Sequence, residues 1–221
     1  MPGTPASIEA RAALRVAAAT TAQRLCPGHG VAVARHLALL SEAEFPDPPI
    51  VWTDTTALSL ASLFAARARR DALAEGADAV ARYFQDVRLI RPASLSSGAR
   101  SQLYASVGEY CNAIGWPQVG ARFGAEALLF ADTDATRYRA LSVKALGYAL
   151  NGEYISAEAA LVAANELFRA QGWDTAETAY LLLLAEALIA SARLDVPRLL
   201  EAADAMRRTQ PDDPYWGYSA R

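Results

Sequence analysis

Two histidines and two cysteines are the side chains in this sequence best suited to hold a metal or act as nucleophiles. His29 and His36 stand two turns apart along one face only where both are helical. His29 lies in the turn-forming phrase PGHG, so the pair does not converge. No nearby Cys, Asp or Glu completes a ligand spacing. Cys26 and Cys111 are far apart and in no metal-type spacing, and both read as reduced thiols in or near a core, with a disulfide or redox pair as the alternative. G-x-S-x-G, H-E-x-x-H and phosphate-loop patterns are absent from the sequence. No catalytic, cofactor or metal residue is assigned.

Charged residues carry more information. Arg67, Arg69 and Arg70 cluster at the end of a helical stretch. An acidic partner is one reading of them. The negative end of the helix dipole and neighbouring Asp71 account for them as well. Glu186 interrupts the apolar run Tyr180–Ala190. A carboxylate there is costly unless it is solvated or paired. It points to solvent, contacts a ligand, or forms an internal salt bridge.

The elements that position these groups are helices. Of the 221 residues, 53% are apolar, enough for a sizeable core, and the formal net charge is −3. That balance argues against a generic nucleic-acid surface. Alanine, leucine and arginine dominate, and Lys144 is the only lysine. This bias favours helix. The longest apolar run is too short to span a bilayer. Glu9, Arg11 and Arg15 break up the N-terminus, so it has no signal-peptide pattern. The expectation is a cytoplasmic protein with no membrane segment.

Periodicity of 3.6 runs through nearly every segment, and turn residues cut the chain into about ten helices. Residues 1–95 read as looser helical hairpins and 96–221 as more regular ones, in one continuous array. Helices are expected at about 99–113, 117–130, 134–150 and 154–170. A further helix opens at the capping-box pattern Asp174–Glu177 and runs to about Ala192. Another opens at Asp195-Val196-Pro197 and closes at Gln210. Trp52, Trp116, Trp173 and Trp216 stand at helix starts, where an aromatic fixes the incoming chain.

The hairpins share a phrase. Leu141, Ala145 and Tyr148 form an inward stripe, Gly152 makes the turn, and Tyr154, Ala157, Leu161 and Ala164 follow. Upstream, Tyr104, Val107, Gly108 and Cys111 lead to Gly115, then Gly120, Gly124 and Ala127. Downstream, Leu181, Leu184, Ala185 and Leu188 lead to a turn placed at Ala192, with Leu194 for the aromatic and Pro197 for the small residue. Recurrence at about 36–40 residues is the signature of an α-solenoid.

At these positions the sequence resembles the tetratricopeptide repeat family, convincingly over about 100–210. Lys144 and Pro117 depart from the family pattern, and the repeat period is longer than that family's. The longer period is similar to that of the helical-repeat arms of actinobacterial LuxR-type transcription regulators. The resemblance implies an all-α fold, a right-handed superhelix of stacked antiparallel helix hairpins. It also implies a concave groove lined by Gln102, Glu109, Asn112, Arg139, Ser142, Leu146, Leu182, Glu186 and Ile189. The function it implies is non-catalytic binding of a protein, a peptide or a small effector, as the sensory or interaction region of such a regulator. No helix-turn-helix signature is present, so direct nucleic-acid binding by this segment is not expected. The alternative is an all-α enzyme or accessory subunit whose active site forms only in the tertiary fold. Tyr215, Trp216 and Tyr218 form an aromatic stub that either packs back or allows self-association through the C-terminal end.

Overall fold

Alanine-rich segments with polar breaks at turn positions fold into six α-helices over the described residues from Ser97 to Thr209. In this computed structural model the described residues are 92–172 and 179–209, with isolated positions between Asp54 and Ile90. The helices are α1 (Ser97–Ala113), α2 (Pro117–Phe130), α3 (Asp134–Leu150), α4 (Tyr154–Ala170), α5 (Ala179–Ala192) and α6 (Val196–Thr209). Among the described residues the fold is all-α, with no strand and no helix long and apolar enough to cross a membrane. The chain divides into two compact units, Met1–Ser96 and Ser97–Arg221. In the first, Asp54 Oδ1 accepts the Ser96 N–H at 3.1 Å, and its hydrogen bonds with Ser96 hold the carboxyl below its ordinary range. Cys26, His29, His36, the Arg67–Arg70 cluster, Trp52, Trp173, Trp216, the 174–177 capping box and the C-terminal aromatic stub lie outside the described residues.

Helix starts follow from local chemistry. Pro117 occupies the first turn of α2, where a missing N–H costs nothing. Thr133 caps α3. Its Oγ1 accepts from Thr136 N at 3.2 Å, and its own N–H donates to Thr136 Oγ1 at 3.1 Å. The N–H of Arg198 donates to Asp195 Oδ1 at 3.2 Å at the start of α6. α1 begins at Ser97, two residues before its expected start.

The three hairpins close with one repeated turn. At the first, Gly115 N–H donates to Asn112 O and Trp116 N–H to Cys111 O. Gly152 and Glu153 repeat this with Ala149 O and Tyr148 O, and Leu194 and Asp195 with Ser191 O and Ala190 O. This bond pair satisfies two helix-end carbonyls and places the middle residue in the left-handed region. There φ is 84° at Gly115, 79° at Gly152 and 59° at Leu194. The turn of the third hairpin is therefore centred on Leu194, not Ala192. Val196 then takes the place of Tyr154, and Leu199 that of Ala157. The spacing favours a small residue at this turn, but the backbone places a leucine where the earlier hairpins have glycine.

Packing follows the chain. Each helix contacts the next within α1–α6, α1 also contacts α3, and α3 also contacts α5. The backbones of α2 and α4 do not approach each other, nor do those of α4 and α6, which are linked by the Glu158–Arg198 ion pair. Ser106 and Glu109 meet Arg139, and Asn112 meets Val143, so α1 and α3 advance in the same direction. Small residues set the spacing of α2 and α3. A methyl on Gly124 would lie 2.7 Å from Lys144 N, and one on Gly147 would lie 2.6 Å from Ala121 N. The central cluster gathers Tyr138, Leu141, Val143 and Leu146 of α3 with Leu161 of α4 and Leu181, Leu182 and Ile189 of α5. Each fully buried side chain of that size contributes roughly 1.5–3 kcal/mol. The alanines between them add little area but allow close approach.

Candidate functional site

The nine residues expected to line a groove fall into two groups. Asn112, Ser142, Leu146, Leu182 and Ile189 are buried. Leu146, Leu182 and Ile189 belong to the central cluster. The Ser142 hydroxyl donates to Tyr138 O at 2.8 Å, one turn back along its own helix. The Asn112 amide donates to Val143 O at 3.0 Å. These five lie where the odd-numbered helices meet, because α1 packs on α3 and α3 on α5, covering the inward parts of this stripe. Gln102, Glu109, Arg139 and Glu186 remain partly exposed.

Two of those four meet. Arg139 Nε donates to Glu109 Oε1 at 2.9 Å, and Arg139 Nη2 donates to Ser106 Oγ at 3.1 Å. This bridge lies over the α1–α3 contact. Glu186 is paired, not free in solvent: Arg198 Nε donates to its Oε1 at 3.1 Å. Arg198 also reaches Glu158 Oε1 through Nη1 at 3.3 Å. Glu158 is held as well by both terminal nitrogens of Arg193. The hydrogen bond from Arg193 is the largest cause holding the Glu158 carboxyl below its ordinary range. Glu158, Arg193 and Arg198 were not expected from the sequence. They come from α4, the third turn and α6, so no local spacing links them.

Other reactive groups are quiet. Cys111 is a buried free thiol, and burial pushes its pKa up to about 12, so it stays protonated. Lys144 lies 5.8 Å from the Tyr148 ring centre, and that contact explains a cation on a stripe expected to be apolar. Trp116 sits at the N-cap of α2, with its side chain half exposed and making no cap hydrogen bond. Among the described residues no three His, Cys, Asp or Glu side chains gather to hold a metal.

A scan against protein-family models and searches of curated proteins and of solved structures return no match. The geometry therefore carries the functional argument by itself. It offers polar groups of both signs: Gln102 and the Glu109–Arg139 pair across the parallel α1 and α3, and Glu186 of α5 paired with Arg198 of α6. Such groups can recognise a peptide backbone or a polar ligand by exchanging one of their ion pairs for a contact with the ligand.

Proposed function

We propose that Ser97–Thr209 is a curved stack of helix hairpins, tetratricopeptide-like in its superhelix. It acts as a non-catalytic scaffold that binds a protein, peptide or small effector on the face of α1, α3 and α5. The observation that carries this reading is the packing pattern: α1 packs on α3 and α3 on α5, while the backbones of α2, α4 and α6 stay apart, α4 and α6 being joined by the Glu158–Arg198 side chains. A rank of helices in mutual contact, backed by helices that splay apart, bends with the contacting rank on the inside. The three matching turns support it, since the same hairpin recurs. We assign the protein to the bacterial cytoplasm, as the sensory or interaction arm of a LuxR-type transcription regulator. That assignment rests on the resemblance of the repeat phrase.

The test is a peptide-display selection against the full chain, followed by amide-exchange mapping of an enriched peptide. Protection on α1, α3 and α5, with loss of binding in Glu109→Ala/Arg139→Ala, is the expected result. Protection confined to residues outside Ser97–Thr209, or binding indifferent to that double substitution, would contradict the reading. The regulator assignment has its own test. A reading frame that continues past Arg221 into a helix-turn-helix module supports it, and a stop codon with no neighbouring regulator contradicts it.

A further inference from the structure

The three hairpin turns lie on one edge of the Ser97–Thr209 helices. Gly147 of α3 abuts Ala121 of α2, which brings the end of α3 beside the start of α2. Glu158, near the start of α4, pairs with Arg193 at the end of α5 and Arg198 at the start of α6. Along this edge stand exposed apolar side chains from every turn: Trp116 at the first, Leu150 and Ile155 at the second, Leu194 and Val196 at the third. Ile155 is 84% exposed and Leu194 86%. Single exposed apolar residues need no explanation, but a row repeated at each turn does.

Leu194 adds an independent observation. A leucine at φ 59° is strained, and glycine fills this position in the other two hairpins. Its side chain is largely exposed and so buries little area to offset that strain. A strained residue presenting an apolar group to solvent points to an external use.

The charges at the turns indicate the occupant. Glu153 and Asp195, both exposed, are the N-cap residues of α4 and α6. The arginines beside them, Arg193 and Arg198, are tied to Glu158 and Glu186. Arg122 lies more than a turn further along α2. The edge therefore presents apolar groups at all three turns and carboxylates at the second and third, Glu153 and Asp195. We propose that this turn edge docks a basic amphipathic helix of a partner protein. The partner's apolar stripe would lie along Trp116, Ile155 and Leu194, and its cations opposite Glu153 and Asp195. Apolar area supplies the affinity and the carboxylates select the partner. This edge adjoins the odd-helix face at the Glu186–Arg198 pair, but the apolar row and its carboxylates do not depend on the function proposed for that face.

The probe is a helical peptide of leucine and arginine, titrated into the full chain and read by fluorescence anisotropy. An isosteric peptide with glutamate for arginine is the control. The basic peptide should bind and the acidic one should not. Ile155→Ser/Leu194→Gly, whose fold is checked by circular dichroism, should weaken binding by about tenfold or more. Glu153→Gln/Asp195→Asn should weaken it and flatten its salt dependence. No binding of the basic peptide, equal binding of both peptides, or binding unmoved by the apolar variant would overturn the proposal. So would self-association of the unaltered chain that Ile155→Ser/Leu194→Gly abolishes, since the occupant would then be a second copy. Apolar-edge-dependent binding to anionic lipid vesicles without peptide binding would overturn it in favour of a membrane.

Discussion

The side-chain amide of Asn112 donates to the backbone carbonyl of Val143 at 3.0 Å, tying the last turn of α1 to the middle of α3. Asn112 is buried, and its Oδ1 faces Gly120 without a hydrogen-bond partner. The residue is a strut between two odd-numbered helices. Asn112→Ala should lower unfolding free energy by about 1–2 kcal/mol through the lost bond and the small void. Asn112→Asp should cost more, because a carboxylate set against a carbonyl repels it and is desolvated. Urea denaturation measures both, and an Asp variant as stable as the Ala variant would contradict the bond.

The repeated turn makes opposite forecasts for its members. Leu194→Gly relieves a left-handed leucine whose side chain is largely exposed, and should raise stability by about 1 kcal/mol. Gly115→Ala and Gly152→Ala meet no neighbour within 4 Å, so only backbone strain opposes them. Each should cost about 1 kcal/mol. Thermal melts of the three variants give the signs directly.

Close approach predicts a larger loss. Gly124→Ala pushes a methyl to within 2.7 Å of Lys144 N and 2.9 Å of its Cα, atoms that cannot move without shifting α3. A penalty of about 2 kcal/mol is expected, roughly twice that of Gly152→Ala. Equal penalties would mean that α2 and α3 are not packed this tightly.

Alkaline pH should destabilise the fold in a defined order. Burial raises Cys111 from 9.0 to about 12, and Tyr138 from 10.0 to about 12. A raised folded pKa contributes stability that is fully present below the unfolded pKa and is lost as pH climbs toward the folded one. The melting temperature should begin to fall above pH 9.0 and fall faster above pH 10.0. Cys111→Ala should remove the first part of the fall only. A Cys111→Ala profile that tracks the unaltered chain between those two values would contradict a buried thiol.

At the acid end, the lowered pKa of Glu158 predicts the reverse. Its pairing with Arg193 and Arg198 stabilises above the ordinary carboxyl value of 4.5 and fades as pH falls through the lower folded value. Glu158→Gln should cost about 0.5–1 kcal/mol at neutral pH, for partly exposed pairs screened by solvent. That difference should shrink below pH 4.5 and at high salt.

The helices from Ser97 onward were legible because caps and glycines punctuate them. Pro117 opens α2, Gly152 follows α3, and the expected limits of α2, α3 and α4 are those found. Leu194 was misread because a left-handed leucine has no sequence signal; only backbone hydrogen bonds reveal it. The cap at Thr133 escaped notice because Thr136 stands where the usual pattern has Glu or Gln. The site was less legible than the fold. Glu109 and Arg139 were named and they meet, but Asn112, Ser142 and Leu146 were assigned to a surface and are buried. A helical stripe says which residues share a side, and the depth at which the next helix packs decides which of them reach solvent.

Cross-relaxation between helices in solution tests the packing pattern most directly. With methyl and α-proton labelling, the Val143 methyls should show cross-peaks to the Gly108 α-protons, and α3 should show them to Leu182 and Ile189 of α5. No direct cross-peak should join Leu128 or Leu129 of α2 to Leu161 or Val162 of α4. Cross-peaks between α2 and α4, or none between α3 and α5, would contradict a curved rank of odd-numbered helices and the binding face built on it.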